Sequence, residues 1–273
     1  TVFAQFLSDQ TGIPTEKIIV VQGDSDLIPR GGGTGGSRSV TVQNNATLAT
    51  VEKIIQSFSQ YLSEKLEVDV EDIGFDDISF RIKGSNYSPN VLEVAKMACE
   101  DLRFDLLKHS AKATLDARSF PNGAHFAEVE VDPETGFVQV VKYCVVDDFG
   151  NLINPMLAEG QVHGGVAQGI GQALYENVVY DQEGQLLTAT FMDYGIPRAQ
   201  DLPYYKFETE CVPSTANIMG MKGCGEAGTV GALAAVANAV QDALWGFGIQ
   251  QVDMPFTSEK IWSMINSGKL AAE

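Results

Sequence analysis

Positive charge is what this 273-residue chain has least of. Its 18 Lys and Arg face 36 Asp and Glu, for a formal net charge of −18 at pH 7. A field of that sign repels a phosphate backbone, so a nucleic-acid partner is not expected. Histidine is also scarce, at three residues. The four cysteines, Cys99, Cys144, Cys211 and Cys224, are scattered and form no C-x-x-C pair. Neither an iron–sulfur cluster nor a zinc ribbon is encoded by such a set. No run of 18 uncharged apolar residues exists, which excludes a membrane-spanning helix. We expect no signal peptide, and scattered thiols in a chain of this size lead us to expect a reducing, cytoplasmic setting. The chain opens at Thr1 inside an amphipathic pattern (Val2, Phe3, Phe6, Leu7), which reads as a segment of a longer protein.

The composition that is present, 44% hydrophobic and 20% charged, is that of a chain with a large packed core. We expect residues 1–273 to form one large domain or two intimate subdomains. Spacings of three and four predict helices over 1–10, 39–66, 88–110, 160–175, 226–244 and 258–265. A β-branched run, KIIVVQ (17–22), predicts a buried strand. Further strands are predicted within 67–87 and at 178–180, 186–191 and 206–212. Segments 124–132 and 137–146 flank the turn DPETG and predict a hairpin. Strands and helices mix without a regular βαβ repeat, so the expected fold class is α+β, with mixed sheets and packed helices.

Three glycine-rich elements could carry chemistry. The first is GGGTGGSRS (31–39) ahead of a helix. It is not a Walker A loop, because Ser37 stands at the lysine position. What remains is anion chemistry: backbone N–H groups at a helix N-terminus, with Ser37, Arg38 and Ser39 as added donors. A flexible surface loop ending in a Ser N-cap fits equally well. The second is Gly223-Cys224-Gly225-Glu226-Ala-Gly228. It matches a dinucleotide fingerprint formally and fails it physically. Glu226 would face the pyrophosphate, and Asp242 lies inside a helical pattern rather than at the end of a second strand. The glycines instead allow close approach to a planar ligand. Glu226 would sit at the positive end of a helix dipole and could serve as a general base, or simply as a stabilising first-turn acid. The third is GQVHGGVAQGIGQALY (160–175). Interior helix glycines cost about 1 kcal/mol each relative to alanine, so they imply tight packing against another backbone or a ligand. Gln161, His163, Gln168 and Gln172 are its polar candidates. His109 and His125 complete no visible triad, and Asp147-Asp148 and Asp76-Asp77 read as turn or surface acids.

Taken together, GDSD…GGGTGGSRS (23–39), FGNLINPMLAEGQVHGGVAQGIGQALYE (149–176) and KGCGEAGTVGALAAVANAVQDAL (222–244) resemble, in order and spacing, the C-terminal part of the molybdopterin-binding large subunit of the xanthine dehydrogenase, aldehyde oxidase and carbon monoxide dehydrogenase family. The resemblance implies a fold of the C-terminal molybdopterin-binding domain type and the site residues. Glu226 matches the active-site glutamate. Gly223, Cys224 and Gly225 match the loop running along the dithiolene and metal. Gly36, Ser37, Arg38 and Ser39 match a loop bonding the pterin, and Gln161 matches a glutamine that contacts it. No protein metal ligand is implied, because the pterin sulfurs hold the molybdenum. Gly35 departs from the pattern, standing where the family commonly has an aromatic residue. The implied activity is oxidative hydroxylation of an aldehyde or N-heterocycle with water as oxygen source. The implied cofactor is molybdenum-molybdopterin in its cytosine dinucleotide form. The implied partners are an upstream half or companion molybdopterin subunit, and iron–sulfur and FAD subunits in an oligomeric assembly. The alternative is a non-catalytic structural or interaction subunit, or an inactive fragment, that keeps the same fold.

Overall fold

The computed structural model describes residues 1–28, 30–115 and 117–270, with 268–270 in backbone alone. Pro29 of the glycine-dense loop lies outside the described residues. The chain divides into two compact units. The first comprises Thr1–Ser119 with Ser214–Met221, and the second Phe120–Pro213 with the chain from Lys222 onward.

In the first unit, α1 (Val2–Thr11) ends at Gly12, whose φ of +67° makes a left-handed cap. Helix α2 (Ser39–Leu66) follows the glycine-rich loop. Its Val51, Phe58 and Leu62 are buried on one face, as their spacing predicts. Phe58 and Leu62 join Phe80 and Ile82 of a small hairpin, β1 (Ile73–Phe75) and β2 (Phe80–Ile82), and Val91, Val94 and Ala98 of α3 (Val91–Glu100). Helix α3 starts later and ends sooner than predicted. Asn90 and Glu93 form a reciprocal capping box that fixes its start. Pro89 lies before the helix and offers its carbonyl to the Phe80 N–H at 2.9 Å. Leu102 at φ +60° turns the chain away at the other end. The predicted strand at 17–22 does not form. Thr15–Lys17 is a short 3-10 turn, and Ile19 is 87% exposed. A β-branched run needs a ladder partner, and among the described residues none pairs with it.

In the second unit, β3 (Asn122–Val131) and β4 (Val138–Asp148) form the predicted hairpin, antiparallel from Asn122↔Asp148 to Glu128↔Lys142 and, after a register shift, from Val129↔Val140 to Val131↔Val138. Helix α4 (Pro155–Leu174) then crosses over, and β5 (Tyr205–Thr209) returns parallel to β4. Helix α4 begins five residues before its predicted start, because Asn154 caps it and Pro155 suits its first turn. The segments 178–180 and 186–191 make only an isolated bridge, Tyr180↔Leu186, not strands. Helices α5 (Ala227–Trp245) and α6 (Ser258–Leu270) complete the unit. Its core joins Tyr143 and Val145 of β4, Val162, Val166 and Ile170 of α4, and Val236 and Val240 of α5. Among the described residues no helix is long and apolar enough to cross a membrane.

The glycines of α4 differ in what they face: Gly165 and Gly169 face α5, Gly160 and Gly164 face open space, and Gly171 faces Glu176 and Pro197. A methyl on Gly165 would lie 2.9 Å from the Thr229 amide nitrogen, and one on Gly169 2.5 Å from Ala232 Cβ. From the other side, a methyl on Gly228 would lie 2.4 Å from the Val162 carbonyl oxygen. The backbones of α4 and α5 therefore touch. Gly160 and Gly164 lie elsewhere on the helix, and a methyl on either would meet nothing within 4 Å. In this chain Gly228→Ala should lose about 1–3 kcal/mol by overpacking. Gly164→Ala should gain up to about 1 kcal/mol from helix propensity. Urea midpoints moving in opposite directions are expected, and a shift of the same sign in both would contradict the packing described.

Candidate functional site

The residues singled out by sequence fall in both units. Gly36, Ser37, Arg38 and Ser39 lie in the first, and Gln161 and Gly223 to Glu226 in the second.

In the first unit the 31–38 segment is an open loop. A methyl on Gly31, Gly32, Gly33, Gly35 or Gly36 would meet nothing within 4 Å. Gly36 and Ser37 both have positive φ, +63° and +55°, which for a serine is unusual. The N-cap of α2 is Arg38 rather than Ser39. Ser39 is the first helical residue, and its hydroxyl donates to Thr34 Oγ1 at 2.9 Å. Loop and first turn thus present backbone N–H groups and a guanidinium, groups suited to an anionic or polar planar ligand.

In the second unit the 222–226 loop is tied down along its length. The Lys222 N–H donates to the Phe149 carbonyl at 2.8 Å, and the Lys222 ammonium bonds the Asp148 carboxylate. Asp148 also accepts from Gly150 N–H at 2.9 Å and Val212 N–H at 3.0 Å. Burial pushes the Asp148 carboxyl up, but Lys222 and these two amides outweigh it and hold the group below its ordinary value. Further along, Gln161 Nε2 of α4 donates to the Gly225 carbonyl at 2.9 Å. Thr229 Oγ1 of α5 donates to the Gly165 carbonyl of α4 at 3.0 Å. Gly223 is buried, whereas Gly225 and Glu226 are exposed. Glu226 is the N-cap of α5, and its carbonyl accepts from Val230 N–H at 3.0 Å. Cys224 is half-buried. Burial, and to a smaller degree the charge of Asp147, push its thiol up, so it stays protonated at neutral pH.

One sequence expectation is corrected here. Asp147 and Asp148 are not surface acids, with side chains only 2% and 14% exposed. The structure also adds partners for one histidine. His125 Nε2 lies 3.3 Å from Asp147 Oδ1, and His125 Nδ1 lies 2.7 Å from the Tyr143 hydroxyl. The signal available in the sequence was strand alternation. His125, Tyr143 and Asp147 occupy inward positions of a hairpin whose register was itself predictable. By contrast, no sequence spacing pairs Gln161 with Gly225, because that contact depends on how closely α4 and α5 approach.

Comparison with known proteins places the chain in a family of molybdopterin-binding proteins. A family model described as a molybdopterin cofactor-binding domain matches residues 1–203. The chain is 35% identical over 269 residues to the 6-hydroxypseudooxynicotine dehydrogenase complex subunit gamma of Paenarthrobacter nicotinovorans, covering 96% of this chain and 34% of that protein. It is 38% identical over 268 residues to the nicotine 6-hydroxylase large subunit of the same organism, covering 96% and 33%. A crystal structure of a Cu,Mo-CO dehydrogenase superposes with a TM-score of 0.88 at 31% identity, over 99% of this chain and 34% of that one. The chain thus spans about a third of the length of the relatives it matches.

The Asp148–Lys222 clamp generates a stability prediction. Asp148→Asn leaves the Lys222 charge unpaired in a mostly enclosed site and should cost about 2–3 kcal/mol at neutral pH, somewhat less than a fully buried pair. Because the folded carboxyl titrates below the ordinary value of 3.8, this contribution is complete above that value. It disappears as pH falls through the depressed folded value. Denaturant titrations of parent and variant should converge in acid. A gap that persists unchanged into strong acid would assign the loss to something other than this carboxylate.

Proposed function

The chain belongs to the molybdopterin-binding subunits of the xanthine dehydrogenase family, and from that premise we propose that it is the C-terminal part of such a subunit, with Glu226 as general base in hydroxylating an aldehyde or N-heterocycle. The observation that carries this reading is the Gln161-to-Gly225 hydrogen bond. It fixes the backbone immediately before Glu226, the N-cap of α5, against α4.

The side chains fit a cofactor that brings its own metal ligands. Cys224 is a neutral thiol and so a poor ligand. In the second unit Gln161 and the backbone of Gly223 and Gly225 are hydrogen-bonding groups suited to a pterin. Taken by itself, the first unit's Gly36, Ser37, Arg38 and Ser39 are a donor set suited to an anionic or polar group. When bound, the molybdenum–pterin group supplies two-electron oxidation at the substrate carbon with water as the oxygen source. Glu226 then takes the proton from the attacking oxygen at a carboxylate Oε, which makes that oxygen a better nucleophile. The absence of side chains at Gly223 and Gly225 lets the loop approach a planar group. Lys222, clamped by Asp148, anchors the loop so that Glu226 is carried by a fixed backbone.

Two electrons leave with each turnover, so the reading requires iron–sulfur and FAD partners, together with the upstream part of the subunit, in a cytoplasmic oligomer. A cytosine dinucleotide form of the pterin belongs to the same proposal. In the complete assembly Glu226→Gln should lower turnover by more than about a thousandfold, the scale of a lost base, while molybdenum content persists. Normal turnover in that variant removes Glu226 from the mechanism. No molybdenum in the parent, under conditions that load a relative, favours the non-catalytic alternative.

A further inference from the structure

The composition of residues 17–22 predicts a buried strand, and the first unit leaves the run bare. Ile18 has the extended backbone of a strand, with φ −103° and ψ 119°. Ile19, Val20 and Val21 are 87%, 44% and 47% exposed. Among the described residues no backbone partner pairs with Ile19, Val20, Val21 or Gln22. Turns bound the run at both ends. Before it, the Ile18 N–H closes a 3-10 turn on the Thr15 carbonyl at 3.1 Å. After it, Gly23 at φ +73° redirects the chain. The Asp24 carbonyl then accepts from the Ile28 N–H at 2.8 Å, and the Asp24 carboxylate accepts from the Asp26 N–H at 2.9 Å.

Successive side chains of an extended segment point to opposite faces. Four consecutive β-branched residues, Ile18 to Val21, therefore make both faces apolar. An alternating pattern marks a strand with one wet face, and an unbroken apolar run marks one covered on both. Covering these side chains also takes the amides of 19–22 out of water, and buried amides need partners. A helix laid on the run would bury the side chains and orphan the amides. A β-strand laid along it buries the side chains and supplies the hydrogen bonds.

Two observations choose the source of that strand. The chain carries a formal net charge of −18, so a second copy meets like charge before any strand can pair. The chain covers only 34% and 33% of two relatives that match 96% of it, so two-thirds of each relative lies outside the match. A strand on the same polypeptide is held near the run by its tether, at high effective concentration.

We propose that residues 18–22 are one strand of a sheet completed by a β-strand from the part of the same subunit upstream of Thr1. The proposal rests on the reading of this chain as the C-terminal part of such a subunit. The run leads through Gly23 into the glycine-rich loop, whose far end is held by the start of α2. Pairing the run anchors the near end of that loop as well.

The complete subunit is the material for the test. Ile19→benzoylphenylalanine puts a photo-cross-linker at an exposed position of this unit. Irradiation followed by peptide mass spectrometry should join position 19 to a peptide upstream of Thr1 in the same polypeptide. In the parent subunit the amides of 19–22 should exchange with deuterium at least about a hundredfold more slowly than those of an unstructured peptide, whatever the protein concentration. A cross-link confined to residues 1–273, a cross-link to another chain, or none at all, overturns the proposal. Exchange at the unstructured rate also overturns it, as does protection that fades on dilution, which assigns the run to a second copy. Neither readout involves turnover or molybdenum. Fast exchange therefore leaves Glu226 in its role, and normal turnover in the Glu226→Gln variant leaves the strand result standing.

Discussion

Helices α4 and α5 meet without side chains between them where Gly228 faces Val162, Gly165 and Val166. This backbone contact governs what the second unit can do. It brings Gln161 within reach of the Gly225 carbonyl and Thr229 within reach of Gly165. Each glycine lowers helix propensity by about 1 kcal/mol. The close packing of Val162, Val166, Ile170, Ala232 and Val236 offsets that cost, since dispersion and apolar burial grow with proximity. A bulkier residue at the crossing would push the helices apart and free the loop from α4.

Two neighbouring aspartates at the end of β4 show how burial alone does not decide what a carboxylate does. Alternation turns Asp147 inward to His125 and Asp148 to the other side, where it meets Lys222. Asp148 has an ammonium and two amide donors, and so its ionised form is favoured. Asp147 has a single histidine N–H on one oxygen and nothing on the other among the described residues. One acid is an anchor whose energy can be read from its partners. The other is a buried side chain whose hydrogen bonding is only half satisfied.

Much of this was visible in the sequence because it is local. The α2 face of Val51, Phe58 and Leu62, the DPETG hairpin and the helix opened by Glu226 all follow from spacing and turn chemistry. The α+β class followed from the irregular mixture of elements. The failures share a different cause. KIIVVQ has the composition of a strand but lacks a ladder partner, and Ser88-Pro89 lost the helix start to a better cap at Asn90. The polar line of Tyr143, His125 and Asp147 needs two strands in register, so no single motif announces it. For Gln161 and the 223–226 loop, the family resemblance put forward candidates that periodicity alone left open. The structure brings Gln161 and Gly225 together in space, while their roles toward a cofactor remain proposals.

The central claim is that the carboxylate at the mouth of α5 works directly at a pterin-held metal. A crystal structure of the complete, cofactor-loaded protein measures this most directly. The account predicts the Glu226 carboxylate within about two hydrogen-bond lengths of the metal, roughly 6 Å, with Gln161 still bonded to the Gly225 carbonyl or to the pterin. A Glu226 side chain pointing into bulk water, beyond that distance from the metal, would contradict it.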